Sequence, residues 1–173
     1  MEAFDPIADP GVHRSNEAMR TKHLIWSAAF LVTSSGCSST YDIRATTIDG
    51  TLAFVADTNL FGNPDCIRSI TVEADEGPPA TPSPGDDVEN VRLGVYWKQT
   101  FASPSCENPF PVIYGTKLSG PAFVYPDGKT KAVNAKPLAR GVIYSVWAES
   151  SGSAFGGGRF RVTHDGKIID LPR

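Results

Sequence analysis

The feature that most constrains this chain is a two-residue alternation of apolar and polar side chains that begins at Tyr41 and is broken by Gly, Pro and Asp. A strand turns successive side chains to opposite faces, so this period specifies half-buried strands joined by turns. Segments 41–48 (YDIRATTI) and 51–57 (TLAFVAD) flank Asp49-Gly50, a dipeptide suited to a two-residue hairpin because both turn positions need positive φ. Residues 66–74 (CIRSITVEA) set Ile70, Val72 and Ala74 on one face with Arg68, and residues 91–98 (VRLGVYWK) set Val91, Leu93, Val95 and Trp97 on another, predicting a core strand. Further strands are expected in 111–116 (PVIYGT), in 121–134, turning at Pro126-Asp127-Gly128, and on either side of His164-Asp165-Gly166. Residues 76–90 (EGPPATPSPGDDVEN) have no apolar period and read as an exposed loop. No segment of helical period and adequate length follows Val32.

Seven or more short strands without helices predict an all-β fold, an antiparallel two-sheet sandwich. The 173 residues, 40% of them hydrophobic, suit one compact domain with accessory segments. A formal net charge of -3 supplies no basic field for gathering phosphates, which argues against a nucleic-acid partner.

Three cysteines make an odd count, and in an exported chain the odd one needs its own explanation. Cys37 follows the one long apolar run, whereas Cys66 and Cys106 lie within the strand-rich part. Residues 1–18 (MEAFDPIADPGVHRSNEA) carry neither helical nor strand period. From Met19 the order becomes basic, apolar, small: Arg20, Lys22 and His23, then LIWSAAFLV from Leu24 to Val32, then TSSGC ending at Cys37. That is the order of a helical signal peptide, expected over 19–36. The apolar run falls short of the roughly 20 residues that a stable membrane span requires. Translation is accordingly expected to start at Met19, with residues 1–18 an upstream extension.

The junction Ser34-Ser35-Gly36-Cys37 resembles the lipobox of bacterial lipoproteins, in which small residues precede a cysteine that becomes the mature amino terminus. The resemblance implies cleavage after Gly36 and a thioether-linked diacylglycerol on Cys37. Residues 37–40 would then form a lipidated tether, and residues 41–173 the single β domain. Ser34 stands where the lipobox prefers Leu, and Ser34 with Gly36 also suits an ordinary signal peptidase, so secretion without an anchor is the competing reading. By the same resemblance Ser38 implies sorting to the outer membrane, facing the periplasm.

A second resemblance lies in Leu138-Ala139-Arg140-Gly141-Val142-Ile143-Tyr144-Ser145-Val146-Trp147-Ala148. It is similar to the tyrosine corner of fibronectin type III and related immunoglobulin-like sandwiches, with Arg140 where that pattern has Pro. The resemblance implies that Leu138, Gly141 and Tyr144 form the corner and that the Tyr144 hydroxyl bonds back to upstream backbone.

Cys66 and Cys106 are expected to pair in an oxidising compartment, since the acids beside them, Asp65 and Glu107, oppose a reactive thiolate. His164 reads as a turn residue, because an adjacent Asp165 does not orient it for a triad and no nucleophile elbow is present. The acids Asp75-Glu76 and Asp86-Asp87-x-Glu89 read as solvated loop, without the spacing of a calcium loop. Gly156-Gly157-Gly158 precedes a strand and not a helix, which favours a tight turn over a phosphate cradle. Tyr96, Tyr114 and Trp147 fall on ambiguous faces and are candidates for either core or a binding patch. No metal or cofactor motif stands out. The expected function is a non-enzymatic, membrane-anchored envelope lipoprotein that binds or spaces an envelope protein or glycan. The alternatives are a small periplasmic enzyme with dispersed carboxylates and a secreted, unanchored binding domain.

Overall fold

The computed structural model describes residues 40–57, 66–102, 107–150 and 154–172. The elements run β1 (Thr40–Ile48), β2 (Thr51–Ala56), β3 (Ile67–Ala74), α1 (Val88–Arg92), β4 (Val95–Thr100), β5 (Val112–Ile113), β6 (Ile143–Ser150), β7 (Phe155–Val162) and β8 (Ile168–Leu171). The strands hydrogen-bond in the order β4-β3-β6-β7-β1-β2-β5, with β8 also on β7. Among the described residues the fold is all-β apart from one helical turn, and its sheet curls into a half-barrel around the core.

The curl follows from the sequence of β1 and β7. Tyr41, Ile43 and Ala45 alternate inward along β1, which begins parallel to β7, Thr40 to Asp42 facing Phe155 to Gly157. From Ile43 onward it pairs with β2 instead, through the hairpin predicted at Asp49-Gly50, where φ is 49° and 77°. The triple glycine is therefore not a turn. It lies within β7, where a Cβ on Gly158 would stand 1.8 Å from the Ile43 carbonyl oxygen and one on Gly156 1.9 Å from the Tyr41 ring. Only glycine admits β1 this close. Where β1 has left β7, β8 takes over its edge, and Asp170 Oδ1 accepts the Ala45 N–H at 2.8 Å.

The parallel β1–β7 pair corrects the expectation of a purely antiparallel arrangement; the other strand pairs are antiparallel. Two local expectations also change. Val91 belongs to α1, not to a strand; Asp87 caps that helix by accepting the Asn90 N–H at 3.0 Å, and Gly94 at φ 94° turns the chain into β4. Leu93 consequently stays outside at 71% exposure, while Val91, Val95 and Trp97 are buried. In β3 a register shift between Ile67 and Ser69 turns Ile67 inward and Arg68 to solvent, so Arg68 does not share the face of Ile70.

Residues 121–136 run along the outer edge of β4 as bridges, not as a continuous strand: Phe123 N–H reaches Thr100 O at 2.8 Å, and Lys98 exchanges two 2.9 Å bonds with Val133. The expected turn at Asp127-Gly128 is present, with Gly128 N–H donating to Tyr125 O at 2.9 Å. The core fills the inside of the curl. Phe54 of β2 meets Phe160 of β7 at 5.7 Å, Phe160 stacks on Tyr144 at 5.4 Å, and Trp97 stands edge-on to Tyr114 at 5.3 Å.

Candidate ligand-binding face

The sequence-derived anchor residues Gly36 and Cys37 lie outside the described residues, as does Cys106. Cys66 is buried at the start of β3. Beside it, Ile67 N–H donates to Asn108 O at 3.0 Å, so the chain two residues past Cys106 runs against the chain one residue past Cys66.

Ala139 N–H donates to the Tyr144 hydroxyl at 2.8 Å, linking the start of β6 to the loop before it. Burial pushes that phenol well above its ordinary range, against the smaller opposing effect of the Ala139 backbone bond. Gly141, at φ 78°, lets the loop turn under His164, whose ring a Cβ there would approach to 2.7 Å. His164 itself lies in the β7–β8 turn, which Gly166 N–H closes onto Thr163 O at 3.0 Å.

The acid-bearing loop is mostly exposed, as expected, but Asp86 departs from that reading. The Asp86 side chain is wholly buried and forms an ion pair with Lys136, whose own side chain is 5% exposed. Asp86 also accepts Asn134 N–H at 2.8 Å and Asn134 Nδ2 at 2.9 Å, together with the Ser83 N–H. Burial alone would raise the Asp86 carboxyl, but the Lys136 ammonium and the Ser83 and Asn134 amides outweigh it and hold it below the usual range. Lys136 Nζ donates to Ser83 Oγ at 2.7 Å as well. The cluster is a pin between the loop and the chain covering β4. No local signal could have joined residues this far apart in sequence.

Tyr96 and Tyr114 resolve into the interior. The Tyr96 hydroxyl donates to Pro78 O at 3.0 Å and that of Tyr114 to Lys136 O at 2.7 Å. Trp147 resolves the other way, at 54% exposure. It stands at the centre of the outer face of β4-β3-β6-β7, in a row that reads Lys98, Thr71, Trp147, Gly157 across the strands. The row above reads Thr100, Ser69, Glu149, Phe155, and the row below contains Glu73, Ser145 and Arg159. Trp147 Nε1 donates to Glu73 Oε1 at 3.0 Å, which fixes the indole over the sheet.

At the Thr100–Glu149 end this face opens into a notch of about 240 Å³, walled by Phe123 and Tyr125, whose rings meet edge to face at 4.9 Å. Arg68 donates to Glu149 at 3.1 Å across its floor. Farther down, Arg159 donates twice to Asp75, at 2.9 and 2.6 Å, and Ser145 donates to the same carboxylate. The face thus carries Arg68, Lys98, Arg159 and Arg161 against Glu73, Asp75 and Glu149. Bases exceed acids by one, and five of these seven have a partner on the face itself. Such a surface offers rigid aromatic area beside oriented polar groups.

Among the described residues, no three His, Cys, Asp or Glu side chains gather as a metal site. Compared with known proteins, the chain matches no family model, no curated protein and no solved structure.

Proposed function

We propose that this chain is an exported bacterial envelope lipoprotein, in which a diacylglyceryl group on Cys37 holds a non-enzymatic binding module at the membrane surface. The observation that carries the reading is the order of Arg20, Lys22 and His23, the apolar run Leu24 to Val32, and Ser34-Ser35-Gly36-Cys37. Multiple acyl chains anchor far more firmly than one. Ser38 assigns the protein to the outer membrane, facing the periplasm. The binding half of the reading draws on Trp147, a large aromatic held outward by Glu73 on an ordered sheet.

The module is an immunoglobulin-like sandwich in this proposal. The strand order supports it, with β1-β2-β5 facing β4-β3-β6-β7 across the core and β1 passing from one to the other. The Tyr144 to Ala139 bond at the start of β6 supports it too.

The test is intact mass and membrane fractionation of the protein expressed from Met19 in a bacterial host, beside a Cys37→Ser variant. The anchor requires that the wild type sediment with membranes and carry a diacylglyceryl mass that the variant lacks. A soluble wild type cut after Gly36 replaces the anchored protein with a freely secreted one.

A further inference from the structure

We propose that the outer strip formed by β6, β7 and β8 lies against the lipid surface, so that Trp147, Phe155 and Ile169 enter the headgroup boundary of an anionic bilayer. This names what the proposed binding face meets, and it rests on the Cys37 anchor. Cys37 stands three positions before Thr40, so the two Cα atoms are at most about 11 Å apart whatever path the chain takes. Thr40 is the register partner of Phe155, one strand spacing, about 5 Å, away. An acylated Cys37 therefore holds Phe155 within roughly 16 Å of the anchored residue, and the domain must lay one of its sides down close to the membrane.

The side chains decide which side that is. Four of the seven large apolar side chains exposed among the described residues, Phe123, Trp147, Phe155 and Ile169, stand on the outer side of β4-β3-β6-β7-β8, and β1 and β2 carry none of the seven. Trp147 faces Gly157 across β7, which has no side chain to cover the indole. Aromatic rings with an apolar body and a polar tip settle at the headgroup level. Asp42, at the β1 border of this side, brings acids and bases level, so the electrostatic pull is local. It comes from Lys98 and Arg161, which have no acidic partner among the described residues. Arg161 lies between Ile143 on β6 and Ile169 on β8. A cation flanked by apolar neighbours suits the bilayer boundary, where its stem covers apolar surface and its head meets a phosphate.

The experiment reconstitutes the acylated protein, expressed from Met19, into vesicles of phosphatidylethanolamine and phosphatidylglycerol with bromine near the top of the acyl chains, and reads tryptophan emission. Cleavage after Gly36 leaves Trp97 and Trp147, and Trp97 is fully buried, so quenching removes about half of the emission, the share of the indole at the lipid boundary. Trp147→Phe abolishes the quenched share. Reversing Lys98→Glu and Arg161→Glu together lowers the quenching at least twofold with the acyl mass and thermal midpoint unchanged. The docking is overturned if acylated wild type is unquenched, whether aqueous acrylamide then reaches Trp147 or a dimer seen in sedimentation shields it. It is equally overturned if Trp147→Phe is quenched as strongly as wild type, or if the charge reversals change nothing. The anchor is read separately by mass: a protein without the acyl group removes anchor and docking together, and an acylated, membrane-bound protein with unquenched Trp147 removes the docking alone.

Discussion

Replacing Lys136 with Met leaves the Asp86 carboxylate buried without its cation, in a site whose two side chains are 5% and 0% exposed. Removing one partner of a buried ion pair costs about 3–5 kcal/mol, because the remaining charge keeps its desolvation penalty. Asp86 retains the Ser83 N–H and both Asn134 donors, so the lower end applies, about 3 kcal/mol. For a domain of this size that corresponds to a fall of roughly 10 °C in Tm. Urea denaturation followed by tryptophan fluorescence reads the change directly, since Trp97 is fully buried. A double-mutant cycle with Asp86→Asn isolates the pair. It should return a coupling of about 1.5 kcal/mol or more.

The pH dependence has a definite sign. The folded Asp86 carboxyl lies below its unfolded value, through the balance of burial against Lys136 and the amides. Its contribution is therefore present above the unfolded value, roughly 3.9, and is lost as pH falls through the depressed folded one. The stability difference between wild type and Lys136→Met should be level from about pH 5 upward and shrink below about pH 4. A Lys136→Met cost under about 1 kcal/mol with no coupling to Asp86 would mean that the pair behaves as an exposed ion pair, and the pin would be refuted.

Three other outcomes follow from the geometry. Tyr144→Phe keeps the stacking on Phe160 but strands the Ala139 N–H, and should cost about 1–2 kcal/mol in the same denaturation experiment. Gly158→Ala puts a methyl 1.8 Å from the Ile43 carbonyl oxygen and should cost at least about 3 kcal/mol or leave the protein insoluble; Gly128→Ala, with nothing near its added carbon, should cost only about 1 kcal/mol, from its positive φ. Cys66 and Cys106 should resist alkylation until reduced, with an intact mass two hydrogens below the dithiol. A bond between them would close a loop of about 40 residues, so its reduction should lower stability by about 4 kcal/mol.

What could be read in advance was local. The alternation of Tyr41, Ile43 and Ala45, the hairpin at Asp49-Gly50 and the bond from Ala139 to the Tyr144 hydroxyl all depend on residues within a few positions of one another. Helix α1 was legible too, in Asp87 as cap, Glu89 in the first turn, Arg92 in the last and Gly94 beyond. The competing alternation of Val91, Leu93, Val95 and Trp97 concealed it, and a period shared by a short helix and a strand is decided by such caps. What could not be read was contact between distant segments: the parallel entry of β1 onto β7, the glycines that admit it, and the burial of Asp86 against Lys136.

The same distinction bears on Trp147. Alternation along β6 puts it outside, opposite Val146 and Ala148, yet period alone does not say why a large aromatic occupies an outward position. A tryptophan left on a flat sheet exposes apolar area that favours association between copies. Lys or Thr would serve the strand at no such cost. Here the indole is also restrained, its N–H held by Glu73 at 3.0 Å, so the ordering entropy of a ligand contact has already been met in the folded state. If Trp147 were a strand residue and nothing more, Trp147→Thr would improve solubility and change no binding. If it is a recognition platform, the same substitution keeps the fold and loses the ligand. Stability and binding should therefore separate at Trp147, whereas at Trp97, fully buried in the core, substitution should remove both together.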